Sequence, residues 1–96
     1  MIVSFGDRAT ADLFHGRGGT RVRRFPADIV RSACRKLDVV DAATTLEDLR
    51  SPPANRLEAL RGDHVGFHSI RVNNRWRIVF RWHDGRAHDV SLTDYH

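Results

Sequence analysis

The sequence predicts an α+β fold in which two to three N-terminal helices pack on one face of a mainly antiparallel sheet, in the order β-α-α-β-β-β-β. Three observations support this. Apolar residues recur every three or four positions between Ile29 and Val40, as on the buried face of a helix. Apolar and polar residues alternate from His68 to Trp82, as along paired strands. Between these stretches, residues 51–55 contain two prolines and break the chain, but they are too few to link two domains. Residues 1–96 are therefore expected to form a single domain.

The helical half is expected to begin with a strand. Residues 1–5 are mostly apolar and rich in strand formers, which predicts the first strand. Asp7 is a candidate N-cap for a short helix that the glycines of residues 16–19 would end. Pro26 fits the first turn of the second helix, where its missing N–H costs nothing. Residues 44–48 resemble a capping box and predict one further helical turn.

The β half is predicted to contain a short strand over residues 57–60 and then a hairpin around Asn73 and Asn74. A two-residue turn would place Ile70 on the same face as Arg77 and mix core with charge. A three-residue loop over residues 73–75 instead pairs Ile70 with Ile78 and sets Arg71 opposite Arg77, so we prefer that register. The tryptophans of this region share the apolar phase and are expected to pack in the core.

A second turn at Asp84-Gly85 leads into the last strand. That strand contains Val90 and Leu92 and runs into the C-terminal residues Asp94, Tyr95 and His96. A carboxylate, a phenol and an imidazole are therefore consecutive, and all three can transfer protons. The alternative for this triplet is an exposed tail without a function.

The charge predicts an anionic partner. Of the 16 basic residues only Lys36 is a lysine, the net charge is +4, and the isoelectric point is near 10.5. Nucleic acid is the first candidate for such a basic surface. The single cysteine, Cys34, excludes an internal disulfide, and no apolar run approaches the 18 residues of a membrane helix. We therefore expect a cytoplasmic protein without membrane contact.

Arginines at alternate positions predict a phosphate site. Arg71 and Arg77 lie opposite each other in the preferred register, and like charges in that arrangement repel unless an anion lies between them. That anion would be a bound phosphate or an acidic side chain from a neighbouring strand. Glu58 is a candidate proton acceptor or a partner that orients an arginine, unless it is simply exposed, and Arg81 is expected to be surface charge. The sequence has no cysteine pair, zinc-binding histidine motif or compact aspartate cluster, so neither a metal nor a cofactor is predicted.

In combination, three segments resemble the HigB-type toxins of the RelE/ParE superfamily, which belong to bacterial type II toxin–antitoxin pairs. They are residues 56–63, residues 69–80 and the terminal residues 94–96. The resemblance implies a RelE-like fold and an endoribonuclease that enters the ribosomal A site and cuts mRNA without a metal. It also implies a HigA-like helix-turn-helix antitoxin as partner, with operator DNA bound only through the toxin–antitoxin complex.

The resemblance also assigns roles to individual residues. Asp94, Tyr95 and His96 match the family's catalytic triplet, and Arg77 matches its phosphate-stabilising arginine. Arg61 stands where relatives have a lysine, while Glu58 stands where some carry a catalytic histidine. Arg61, together with Arg71 and Arg75, is expected to bind RNA phosphates. The other functions to be considered are a basic module that binds the antitoxin or nucleic acid without catalysis, and a ParE-like gyrase inhibitor.

Overall fold

Two α-helices cover one face of a four-stranded antiparallel sheet in the computed structural model, which describes residues 1–94. The strands lie side by side in chain order. Within the described part of the chain, no helix is long and apolar enough to cross a membrane. The bounds of the elements are α1 (Arg8–Phe14), α2 (Ala27–Ala42), β1 (Glu58–Ala59), β2 (Phe67–Arg71), β3 (Trp76–His83) and β4 (Arg86–Asp94).

Both helices begin close to where the sequence predicts. The side chain of Asp7 caps α1, because its Oδ1 accepts a hydrogen bond of 2.7 Å from the backbone N–H of Thr10. Gly16 follows the helix with a φ of 72°, a conformation that favours glycine. Pro26 is the N-cap of α2 and not part of its first turn, since its ψ of 134° is extended. The helix proper therefore starts one residue later, at Ala27.

The predicted capping box is confirmed, although it opens a 3₁₀ helix (Leu46–Arg50) and not an α-helix. The backbone N–H of Asp48 donates to the hydroxyl of Thr45, and the Asp48 carboxylate accepts from the backbone of Thr45 and Thr44. The backbone donors from Thr44 and Thr45, in that order, lower the pKa of Asp48 by stabilising its charged form.

The core lies between α2 and the sheet. Ile29, Ala33, Leu37 and Val40 are buried along one face of the helix, as their spacing predicts. They belong to one apolar cluster with sheet residues such as Phe80. The two tryptophans pack against this cluster, which confirms their predicted place on the apolar side of the sheet.

The predicted strand over residues 1–5 is wrong in its extent. This segment makes only two isolated parallel bridges to β4, from Ile2 to Ala87 and from Phe5 to Val90. Between these bridges β4 contains a bulge, because Asp89 has a φ of 52° and the register with β3 shifts at this point. The backbone N–H of Asp89 bonds to the hydroxyl of Ser4 at 2.9 Å. A bulge interrupts the even spacing that a continuous ladder needs.

The register of the β2–β3 hairpin is as predicted. Ile70 pairs with Ile78, and Arg71 pairs with Arg77. The side chain of Asn73 holds the loop, because its Oδ1 accepts 2.8 Å hydrogen bonds from the backbone N–H groups of Arg75 and Trp76. The turn at Asp84-Gly85 is also confirmed, with φ values of 52° and 72° that fit a type I′ turn. The predicted strand at residues 57–60 is shorter than expected and spans only Glu58–Ala59.

Candidate functional site

The sheet has one face that the helices leave uncovered, which we call the open face. Ile70 and Ile78 point into the core, so their neighbours Ser69 and Arg77 point to the open face. Glu58 pairs with Ser69 across β1 and β2, and Thr93 pairs with Arg77 across β3 and β4. The four strands therefore bring Glu58, Ser69, Arg77 and Thr93 to the same surface.

Arg77 is held in a fixed position on the open face. Its Nε donates a 2.8 Å hydrogen bond to the hydroxyl of Ser69, and its Nη2 donates a 2.6 Å bond to the backbone carbonyl of Arg56. A longer contact of 3.4 Å joins Nη2 to the carbonyl of Ser69. Only 11% of the Arg77 side chain is exposed. The guanidinium is therefore ordered before any ligand arrives, which lowers the entropic cost of binding an anion.

An acidic side chain from β1 partly balances the charge of one of the two opposed arginines, Arg77. Oε1 of Glu58 lies 3.7 Å from Nη2 of Arg77. Arg71 turns instead to the hairpin loop, where its guanidinium donates to the side-chain oxygen of Asn74. The acidic neighbour expected as one alternative is thus present for Arg77, while Arg71 is bonded to a neutral amide. The Glu58 side chain is 56% exposed, so water weakens its attraction to Arg77.

These groups surround a cleft with a volume of about 310 Å³. We call it the arginine cleft; its lining residues are Arg56, Glu58, Arg71, Asn73, Asn74 and Arg77. Three of them are arginines and one is an acid, so the cleft favours an anion. Along β1 a wider depression of about 660 Å³ is lined by residues 58–61. Glu58 borders both, so the two depressions adjoin, and Arg61 lines the wider one.

Asp94 does not line the arginine cleft itself but is bonded to Arg75, the residue that follows the cleft-lining Asn74. Asp94 is the last residue of β4 and pairs with Trp76, so alternation directs it away from the open face. Its Oδ2 accepts a 2.9 Å hydrogen bond from Nη2 of Arg75. Arg75 and Asp94 therefore form an exposed ion pair where β3 begins and β4 ends. The predicted catalytic residues Tyr95 and His96 lie outside the described residues.

Arg81 is a surface charge, as expected. Its side chain is about half exposed, and Nε lies 2.8 Å from Oδ2 of Asp89. The bulge in β4 presents Asp89 to this contact. Along β3, Arg81 is farther from the arginine cleft than Arg77 is.

Sequence reasoning missed four residues of the site. Ser69 bonds Arg77, and its position in the polar phase of β2 was a signal that could have identified it. Asn73 and Asn74 were interpreted only as turn residues, yet both line the cleft. Arg56 contributes a backbone carbonyl from a residue with a φ of 45°, a conformation that nothing in its local sequence indicates.

The sequence is similar to known toxins along nearly its whole length. A family model described as the RelE-like toxin of the type II toxin–antitoxin system HigB matches residues 4–96. Toxin HigB-1 of Vibrio cholerae serotype O1 is 48% identical over 92 residues, covering 96% of this chain and 95% of the relative. Endoribonuclease HigB of Proteus vulgaris is 34% identical over 96 residues and covers both chains completely.

Solved structures show the same fold at lower identity. The YoeB–YefM complex from Staphylococcus aureus contains a chain with a TM-score of 0.61 and 18% identity, covering 100% of this chain and 98% of that one. The YoeB/ParE toxin from Agrobacterium tumefaciens has a TM-score of 0.55 and 19% identity, with coverages of 100% and 99%. The expected RelE-like α+β fold is thus confirmed. With a family model that spans 4–96 and relatives matched over at least 95% of their length, the chain belongs to the HigB-like family of toxins of type II toxin–antitoxin systems.

Proposed function

We propose that this chain is an endoribonuclease that enters the ribosomal A site and cleaves mRNA there. The observation that carries the proposal is the ordered guanidinium of Arg77, which stands beside Arg71 and Glu58 in an open, cationic cleft. A fixed cation stabilises a phosphorane better than a mobile one, because it needs no reorganisation during the reaction. The similarity to the endoribonuclease HigB of Proteus vulgaris supports the same reaction class.

The proposed reaction is attack by the RNA 2′-hydroxyl on the adjacent phosphorus. The P–O5′ bond breaks, and the products are a 2′,3′-cyclic phosphate and a 5′-hydroxyl. Arg77, Arg71 and Arg61 stabilise the negative charge of the transition state, so side chains supply the charge and no metal is invoked. Acid–base assistance of this kind typically contributes ~10²–10⁴-fold.

The proton transfers fall to the C-terminal triplet and to Glu58. The candidate bases are Glu58, which lines the arginine cleft, and Asp94 or His96, which the resemblance suggests. With either carboxylate as the base, His96 is the acid that protonates the leaving oxygen. Tyr95 is the third residue of the C-terminal triplet that matches the family's catalytic triplet. Glu58 is well placed for a second role, since its carboxylate lies 3.7 Å from the guanidinium of Arg77 and helps to orient it.

The proposed partner is a HigA-like helix-turn-helix antitoxin. The complex would repress its own operon, so that operator DNA is contacted only through the antitoxin. A heterotetrameric YoeB–YefM toxin–antitoxin complex from Staphylococcus aureus contains a toxin of the same fold. We place the toxin in the cytoplasm, where ribosomes and mRNA are available.

The test is cleavage of translated mRNA by purified protein, mapped by toeprinting. Arg77→Ala and a chain that lacks residues 94–96 should both lose cleavage while they retain the far-UV circular dichroism spectrum and antitoxin binding. Arg86→Ala, an exposed arginine at the far hairpin, is the matched control and should cut normally. Unchanged cleavage by both site variants would overturn the assignment of these residues. A natural chain that binds the antitoxin and RNA but cleaves no mRNA would instead be a basic module without catalysis. Gyrase cleavage complexes in cells would identify a ParE-like poison.

Glu58→His tests the position at which this chain has a glutamate and some relatives have a catalytic histidine. Imidazole titrates near neutral pH and is an effective base there. If the carboxylate limits the reaction, the variant should cut faster than the natural chain and its rate should rise as pH increases through 6–7. A slower variant with an unchanged pH profile would show that Glu58 acts through Arg77 and not as the base.

A further inference from the structure

A second depression lies on the open face, next to the arginine cleft. Its volume is about 350 Å³. We call it the Phe67 depression; apart from two carboxylates, its walls are formed by His64, Phe67, Val79, Ser91 and Thr93. Nothing in the proposed cleavage step uses these side chains, although they occupy the surface on which the RNA would lie.

The strand register fixes how close the two sites are. Thr93 pairs directly with Arg77, so the wall of the Phe67 depression begins across the strand from the guanidinium. Val79, which lies at the floor, is two residues along β3 from Arg77, a distance of about 6.6 Å at the usual rise of a strand. That distance is comparable to the length of one nucleotide. A phosphate at Arg77 would thus place a flanking nucleotide at the depression.

The side chains of the depression suit a base and not a phosphate. The rings of His64 and Phe67 form an edge contact with centroids 6.1 Å apart and planes inclined at 63°, and they make one aromatic wall. Val79 adds apolar surface, while Ser91 and Thr93 add hydroxyls. A flat, partly apolar ligand with polar edges matches this wall.

Two carboxylates determine which polar groups the ligand can present to the depression. Asp63 and Asp89 also line the depression. Asp89 is held in place, because it bonds to Arg81 at 2.8 Å and contacts the hydroxyl of Ser4 at 3.4 Å. Carboxylates repel phosphate and accept hydrogen bonds from N–H groups. The Phe67 depression therefore differs from the arginine cleft, which attracts anions.

We propose that the Phe67 depression binds a base that flanks the scissile phosphate, and that it selects bases with an exocyclic amino group. Adenine, cytosine and guanine carry such a group, whereas uracil does not. The aromatic wall supports the base, and Asp63, which is exposed and near the rim, accepts from the amino group. This inference rests on the proposed ribonuclease function and specifies how that function chooses its cleavage positions.

The experiment is to map cleavage positions on a translated mRNA library by sequencing the new 5′-hydroxyl ends. The natural chain should show depletion of uracil at one position next to the cut. Phe67→Leu and His64→Ala should flatten the base profile at that position and raise KM about 10-fold, in line with the loss of one base–aromatic contact, with a smaller change in kcat. Asp63→Asn should specifically weaken the discrimination between cytosine and uracil.

The matched control is His83→Ala, which removes an exposed histidine at the β3–β4 hairpin and should leave the profile unchanged. Circular dichroism and thermal unfolding check the fold of each variant, and Phe67→Leu keeps most of the apolar volume. A base profile that is identical in the natural chain and in both wall variants overturns the inference. So does a loss of antitoxin affinity in the wall variants without a change in profile, since the depression would then be a protein-docking site.

The same assay separates this inference from the proposed function. If Arg77→Ala abolishes cleavage while the wall variants keep the natural profile, the ribonuclease function stands and the base-binding site is rejected. If the natural chain does not cleave the library, the ribonuclease function itself is rejected. If Arg77→Ala cleaves normally, the scissile phosphate does not lie at Arg77, and the base-binding site is rejected with that placement.

Discussion

At the residue scale, the function of Arg77 depends on its geometry as much as on its charge. Nε and Nη2 each donate to a different group, the hydroxyl of Ser69 and the carbonyl of Arg56. A lysine would keep the positive charge but has a single flexible ammonium group, which cannot reproduce both bonds. The side chain would then move in the cleft, and the charge would no longer be fixed where the phosphorane forms.

Arg77→Lys is therefore expected to reduce the rate of mRNA cleavage by roughly 10²–10³-fold, the usual effect of losing one preorganised donor. Single-turnover cleavage of translated mRNA measures this rate. Arg86→Lys, the same exchange at an exposed position of β4, should leave the rate unchanged. A full rate in Arg77→Lys would mean that charge alone suffices and that the bonds to Ser69 and Arg56 serve only the fold.

His68 makes the stability of the fold depend on pH. Its ring stacks on Phe80 with centroids 6.3 Å apart, and its buried Nδ1 has no hydrogen-bond partner among residues 1–94. Burial, followed by the charge of Arg50, lowers the pKa of His68 below its usual 6.5. The unfolded chain then takes up a proton more readily than the folded chain, so stability is full above pH 6.5 and decreases as the pH falls below it.

We expect urea unfolding of the natural chain to show a lower midpoint at pH 5.5 than at pH 7.5. In His68→Phe, which keeps an aromatic ring against Phe80, that difference should be smaller. The effect of Asp48, whose pKa is lowered, belongs to a separate window below pH 3.8. Identical pH dependences in the two proteins would show that His68 binds its proton equally well in the folded and unfolded chains.

At the element scale, one buried hydrogen bond joins α1 to the strand that leads to the C-terminal triplet. The backbone N–H of Leu92 in β4 donates to the hydroxyl of Thr10 at 2.9 Å, and Thr10 is fully buried. Thr10→Val has nearly the same shape but leaves this N–H unpaired. We expect a loss of about 1–3 kcal/mol in the free energy of unfolding, measured by urea titration. Thr10→Ser keeps the acceptor and should lose less; equal losses would attribute the effect to packing.

The elements also show what the sequence could predict and where it failed. The β2–β3 register followed from two facts, the alternation of apolar residues and the need to keep Arg77 away from Ile70, and the structure confirms it. The extent of the first strand could not be predicted in this way. It depends on the bulge at Asp89, which bonds to Ser4, a residue 85 positions away in the chain.

At the scale of the whole molecule, the site too could be predicted only where it follows from local sequence patterns. The predicted partners Arg71, Arg77 and Glu58 meet because strand pairing aligns them, and pairing can be derived from local patterns. The carbonyl of Arg56 and the Phe67 depression arise where separate segments approach each other in three dimensions. Asp94 is an intermediate case, since the structure pairs it with Arg75, one of the predicted phosphate-binding arginines, but does not place it among the residues that line the arginine cleft.

The net charge of +4 leads to the last prediction, which concerns salt. Each phosphate contact releases bound cations from RNA, so the logarithm of affinity falls with the logarithm of salt concentration by about 0.7 per contact for a single strand. Arg61→Gln should therefore reduce this slope by about 0.7, measured by fluorescence anisotropy with a short RNA that carries 2′-O-methyl groups and cannot be cleaved. Arg86→Gln makes the same change in net charge away from the cleft and should keep the slope. If both variants change the slope equally, the RNA is attracted by the overall charge of the molecule, and Arg61 makes no phosphate contact of its own.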